Sequence, residues 1–283
     1  MTKFNKLIAL LFCFSLLLII SSCDEITYPY REGTHIDTTD TVSQKILLED
    51  FTGFLCNNCP AAHELAYELK EQLGNQLVIL AVHAGYYAKP NLQYTYDFRT
   101  AAGTEINDHF SVQAYPNGMF NRTAYNNKIP LGVDYWGAAI NTLKNKTPKA
   151  KIELTPSYNE TSHSISVDVK IKYLQQSSTN HYLVVQISED SIVQIQLDKR
   201  KTPELIQNYV HNNVLRGSIT STWGDQVSST VLPKEATITK HYDFAIPDGS
   251  DWRPEKLKIV AYIHDKDDTW QIVQVEEAKI IDN

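Results

Sequence analysis

The chain is short of several things, and each shortage removes a class of function. Cysteine is scarce, with four in 283 residues. There is no second CxxC and no close histidine pair, which leaves a zinc site at the one CxxC without its other ligands. Pro60 stands directly after the second cysteine of that motif where a c-type haem attachment needs histidine, so haem attachment is excluded. Positive charge is also short: the formal net charge is −7, and no basic patch has aromatics interleaved, which argues against nucleic acid as a partner. Beyond residue 20 no apolar run is long enough to span a bilayer. The sixteen tyrosines form no local cluster that would mark a glycan-binding surface.

What is present begins with a targeting segment. Lys3 and Lys6 make a basic n-region, and Leu7 to Ile20 is an apolar core of signal-peptide length. It ends in Ile20-Ser21-Ser22-Cys23, which resembles a bacterial lipobox. The resemblance implies a signal peptide over 1–22 and a lipidated Cys23, so that acyl chains hold the mature protein at a membrane. Asp24-Glu25 resemble the surface-export signal of Bacteroidetes lipoproteins, which implies an outer membrane location. Removal of the signal takes Lys3 and Lys6 with it and brings the net charge from −7 to −9. Cys13 leaves as well, and Cys23 is committed to lipid. Cys56 and Cys59 are then the remaining cysteines, in a compartment where disulfides persist.

Residues 23–44 lack periodicity and read as the lipidated N-terminus and a flexible tether. Two domains are expected after it, at 45–149 and 150–283. In the first, Ile46 to Phe51 reads as a buried strand. Ala62, Leu65, Ala66, Leu69 and Leu73 trace a helix stopped by Gly74-Asn75, and Leu77 to Val82 is a second buried strand; strand–helix–strand of this kind implies a parallel pair. Residues 84–113 read as an insertion with helix around Asp97–Ala102 and Glu105–Phe110. Val133, Trp136, Ile140 and Leu143 mark a last helix ending before Pro148. From Ala150 onward the pattern is β: Ile165, Val167, Val169, Ile171 and Tyr173 alternate with polar residues, with similar runs at 150–155, 181–188, 236–246, 256–264 and 269–276. That many strands suggest an antiparallel β-sandwich. Glu204–Val214 reads as a short helix or a long loop.

Phe51 to Gly74 carries the chemistry. Cys56-Asn57-Asn58-Cys59 stands between strand and helix, and three readings compete: a redox centre, half of a metal site and a structural staple. A staple across two residues constrains almost nothing in the unfolded chain. A metal would need further ligands, with His63 and His83 as the candidates. For redox chemistry the order is right. A cysteine just ahead of a helix N-terminus has its thiolate stabilised by free N–H groups and the helix dipole, and a second cysteine can resolve a mixed disulfide. Pro60 suits the first helical turn. His83 reads as a satisfied histidine at a strand end, Tyr86 and Tyr87 as either groove or sheet-edge residues, and His211-Asn212-Asn213 as a packed turn.

These residues resemble the thioredoxin fold. The resemblance implies that Cys56 attacks, Cys59 resolves, the buried Asp50 moves the proton, and Pro116 of Tyr115-Pro116 is a cis-proline shaping the substrate groove. Asn57-Asn58 and Leu55 depart from that family's usual Gly-Pro and tryptophan. LLEDFTGFLCNNCP, VHAGYYAKP, YPNGMFNR, HNNVLRGS and KIVAYIHDKDDTWQIVQVEEAKI together resemble the Omp28-related outer-membrane lipoproteins of Bacteroidetes, which implies a thioredoxin-like α/β domain with a helical insertion followed by a β-rich domain. Two functions follow: thiol–disulfide exchange with thiols or disulfides of envelope proteins, or a binding and assembly lipoprotein that keeps the fold as a scaffold. No cofactor or metal is expected.

Overall fold

The first strand forms where the apolar run of residues 46–51 predicts it. In a computed structural model that describes residues 42–281, β1 (Ile46–Thr52) leads through the cysteine loop into α1 (Cys59–Leu73) and returns as β2 (Leu77–His83). The signal peptide, Cys23 and most of the tether lie outside the described residues. Next come α2 (Ala101–His109), β3 (Asn117–Phe120), β4 (Leu131–Gly132) and α3 (Trp136–Leu143). The rest is strand: β5 (Ala150–Asn159), β6 (Ser164–Tyr173), β7 (His181–Glu189), β8 (Ile192–Leu197), β9 (Leu205–His211), β10 (Val214–Ser218), β11 (Asp225–Gln226), β12 (Thr237–Ala245), β13 (Leu257–Asp265) and β14 (Ile272–Lys279). No helix among the described residues is long and apolar enough to cross a membrane.

A nine-stranded mixed sheet runs β14-β13-β7-β10-β2-β1-β3-β4, with β11 added on β7. β2 is parallel to β1 on one side and to β10 on the other. Hydrogen bonding therefore passes without a break from β1 and β2, which flank the cysteine loop and α1, into strands beyond residue 150. A second sheet, β12-β6-β5, lays its apolar face on β7 and β13, burying Ile165, Val167, Val169, Ile171 and Tyr173 against Leu183, Val185, Ile187, Ile259 and Ile263. β8 and β9 form a separate two-stranded hairpin.

Two expectations need correction. Leu205–His211 is a strand, not a helix or loop. Its apolar residues are too few and too widely spaced to announce a buried face, and pairing with β8 decides its conformation. Helix is also absent at Asp97–Thr100: Asp97 accepts hydrogen bonds from Arg99, and Thr100 caps α2 by accepting from the Gly103 N–H, so the helix starts at Ala101.

Alternation along β1 sends neighbouring carboxylates to opposite faces of the sheet. Leu47 and Phe51 face α2, while Ile46 and Leu48 face α1 and α3. Glu49 therefore lies on the α2 face. There Arg122 donates to it from Nε at 2.9 Å and Nη2 at 2.7 Å, and Nη2 also donates to the Tyr262 hydroxyl at 2.9 Å. The guanidinium lies over the rings of Phe110 and Tyr262, each 5.2 Å away. Burial opposes its charge, but the Glu49 carboxylate and Tyr262 together outweigh that and raise the Arg122 pKa further. Asp50 lies on the α1 face, below the head of the helix.

Candidate functional site

Cys56 and Cys59 are joined as a disulfide with their Cα atoms 5.4 Å apart. The loop that carries them is set by close backbone approach. Leu55 N–H donates to the Tyr87 carbonyl at 3.0 Å, and a Cβ on Gly53 would fall 2.4 Å from the Tyr87 carbonyl carbon, so only glycine fits. Cys56 N–H donates to the Gly53 carbonyl at 2.9 Å. Cys59 opens α1, and Pro60 occupies its first turn. Asn57 and Asn58 point to solvent, yet Cys56 is only 2 % exposed and Cys59 fully buried.

The cover over the cysteines comes from more than a hundred residues away. The β8–β9 hairpin, an excursion between β7 and β10, lies against the loop: Leu197 N–H donates to the Phe54 carbonyl at 2.9 Å and Lys199 N–H to the Asn57 carbonyl at 3.0 Å. Buried Gln196 donates from Nε2 to the Cys56 carbonyl at 2.9 Å. At the surface Arg200 forms a two-pronged ion pair with Glu64 of α1, at 2.6 and 2.8 Å.

Asp50 is 1 % exposed and Oδ1 has no partner among the described residues. Burial without compensation pushes its carboxyl up to about 7. His63, one turn past Cys59 in α1, faces it with Nε2 3.7 Å from Oδ2. Burial drives that imidazole down to about 4, only partly offset by Glu64. Carboxyl up and imidazole down means the pair is held neutral and is not an ion pair near pH 6. Nε2 also lies 3.0 Å from the Thr52 hydroxyl, and Nδ1 lies 2.9 Å from the Tyr209 hydroxyl on β9.

Behind the pair is a cavity of about 20 Å3, lined by Asp50, His63, His83, Tyr209 and His211 among others, with room for one water-sized molecule. His83 is buried and stacks on Phe98 at 4.3 Å, with Nδ1 unpartnered, so it is not the hydrogen-bonded strand-end residue expected. Burial and the neighbouring His211 hold its pKa well below the ordinary value. His211 is likewise lowered, to about 3. Asn212 and Asn213 do tie a turn, accepting from the Ser191 N–H and the Lys258 ammonium, while Tyr86 is open to solvent at 78 %. No group of three histidine, cysteine or carboxylate side chains among the described residues could hold a metal ion.

The Tyr115–Pro116 peptide is cis, and Pro116 immediately precedes β3, whose Asn117 pairs with Phe51. Asp50, Cys56, Cys59 and Pro116 thus gather at one end of β1. His63, Tyr209, Gln196 and His211 join them. His63 and His211 were legible only as a spare ligand and a turn residue, and Tyr209 and Gln196 carried no local signal.

The sequence profile of outer membrane protein Omp28 matches residues 104–283, more than half of the chain. The chain belongs to the Omp28 family. Membership places this Omp28 protein at the outer membrane of the cell envelope. Among solved structures it is similar to HBP35 of Porphyromonas gingivalis, with a TM-score of 0.64 at 13 % identity over 86 % of this chain and 77 % of that one. It is also similar to an Agrobacterium tumefaciens protein, with a TM-score of 0.54 at 14 % identity over 86 % and 97 %. A domain of the outer membrane lipoprotein Omp28 from P. gingivalis is 21 % identical over 48 % of this chain and 90 % of that one, superposing loosely at a TM-score of 0.32. No curated protein sequence matches significantly.

Proposed function

We propose that this Omp28 protein is a lipid-anchored, thioredoxin-like thiol–disulfide exchange protein of the envelope, held by acyl chains on Cys23 and acting on thiols or disulfides of other envelope proteins. One observation carries the reading: Asp50, buried with Oδ1 unpartnered and raised to about 7, stands on the strand that leads into a disulfide at a helix N-terminus. A carboxyl poised near neutrality has little purpose in a scaffold and suits proton transfer.

In the reducing direction the helix head stabilises the Cys56 thiolate, which attacks a sulfur of a partner disulfide and releases one partner thiolate. Cys59 gives its proton to the Asp50 carboxylate, and its thiolate attacks Cys56. The Cys56–Cys59 bond forms, the second partner thiolate leaves, and two electrons have passed to the partner. Oxidation of a partner runs the same steps backward. Pro116 shapes the groove that holds the partner backbone.

The second reading, a binding and assembly lipoprotein with the fold as scaffold, is favoured by the burial of both sulfurs under the hairpin. Reduction potential, insulin reduction and a Cys56→Ser control separate the two. Exchange predicts a potential between about −270 and −120 mV, with turnover abolished by Cys56→Ser. A pair still oxidised below about −300 mV, with no turnover, would give the scaffold the case.

A further inference from the structure

We infer that His63 and Tyr209 carry the Asp50 proton between the buried carboxyl and solvent, so the hairpin that covers the disulfide also completes the proton path of the site. The inference rests on the exchange reading for its purpose, but its geometry stands apart from it.

Asp50 must release and regain a proton in every exchange cycle, and it has no surface of its own. The path leads outward through three elements. Asp50 Oδ2 on β1 lies 3.7 Å from His63 Nε2 on α1, and His63 Nδ1 lies 2.9 Å from the Tyr209 hydroxyl on β9. Exposure rises along it, from 1 % at Asp50 to a half-buried Tyr209 flanked by exposed Asn208 and Val210. The Thr52 hydroxyl, 3.0 Å from Nε2, fixes the ring so that one nitrogen faces the carboxyl and the other the phenol. His63 also follows Cys59 by four residues and so shares its face of the helix. The other titratable groups around the ring are Glu64 and Tyr67 on α1, His83 on β2 and His211 on β9.

A neutral imidazole suits this position, because one nitrogen donates while the other accepts. When Asp50 has taken the Cys59 proton, its O–H passes that proton across the 3.7 Å gap to Nε2 through one water, for which the adjoining cavity has room. Nδ1–H gives its own to the Tyr209 oxygen, and the Tyr209 hydroxyl proton goes to water. Asp50 is left as carboxylate, His63 neutral with its proton on the other nitrogen, and Tyr209 neutral; no net charge stays in the path. Burial keeps His63 at about 4, so the proton passes through without stopping.

The test follows the Asp50 carboxyl directly. In full-length mature protein, the infrared carbonyl band of protonated Asp50, assigned by its loss in Asp50→Asn, is followed after a jump from about pH 6 to about pH 8, which straddles its titration. Tyr209→Phe removes one oxygen and His63→Gln removes the tautomer exchange; each should slow decay of the band by at least about tenfold, and the double variant no more than the slower single one. Should His63→Gln fail to fold, Tyr209→Phe decides alone. Decay at the wild-type rate in Tyr209→Phe overturns the relay. Insulin reduction by the same preparations reports separately on the exchange reading: slow decay without turnover keeps the relay and removes exchange, while turnover with unchanged decay does the reverse.

Discussion

Glu49 and Asp50 are neighbours in one strand, both carboxylates and both buried, and they meet opposite fates. Glu49 faces the α2 side, where Arg122 grips it with two nitrogens and Tyr262 completes the guanidinium's bonding. Asp50 faces the α1 side with one oxygen unpartnered and a neutral histidine beyond hydrogen-bond reach of the other. The difference shows that depth does not decide what a carboxylate is for. A matched partner makes it a clasp, tying β1 to β13; a missing partner leaves it free to gain and lose a proton near neutrality.

The largest test of the contrast removes the clasp. Arg122→Met leaves Glu49 buried without a counter-charge and should cost about 3–5 kcal/mol in urea unfolding. Replacing Glu49 and Arg122 together with apolar residues should recover most of that loss; a single-variant cost below about 1 kcal/mol would mean Glu49 is not charged in the fold.

Asp50→Asn should act in the opposite sense. A carboxyl raised to about 7 binds its proton more tightly folded than unfolded, so its contribution is intact below about pH 4 and is lost as pH rises toward 7. The variant should match wild type near pH 4 and exceed it by up to about 4 kcal/mol at pH 8. His63, lowered to about 4, has the reverse slope: it costs stability as pH falls from about 6.5 to about 4. Wild-type stability between those limits should therefore show the two slopes partly cancelling, while Asp50→Asn should show His63 and the other buried histidines, His83, His181, His211 and His264, without that offset. Equal stability increments at pH 4 and pH 8 would refute the assignment.

Smaller effects probe the hairpin. Gln196→Ala leaves the Cys56 carbonyl with the Cys59 N–H alone and should cost about 1 kcal/mol, with dithiothreitol reducing the disulfide about fivefold faster through easier local opening. Glu64→Ala breaks an exposed ion pair with Arg200 and should cost under about 1 kcal/mol, with little change in reduction rate. Equal acceleration by both would show the hairpin to be held at its rim.

How much of this could be read from sequence followed signal strength. β1, α1 and β2 are legible because buried apolar runs flank a helix with proline at its head and a glycine stop, and Gly74 does take a positive φ of 54°. β6 is legible because one face is wholly apolar and the other polar. The hairpin was not: β9 alternates weakly, and Val193 and Val210 project into solvent, so no periodicity separates its faces. The site followed the same rule. Asp50, Cys56 and Cys59 stand close together in the chain, whereas Tyr209 and Gln196 reach them only through the fold.

The position of the hairpin in the chain also sets an order of events during synthesis. Residues 56 and 59 precede 192–211 by well over a hundred residues, so both are made before the segment that covers them. β2 waits equally long for β10, and until then one edge of a strand destined for the middle of the sheet is unpaired. A chain stalled before residue 192 would therefore present uncovered cysteines beside an open sheet edge with which another strand could pair. Completion of the hairpin and β10 closes both at once, so the C-terminal half covers a site laid down in the N-terminal half.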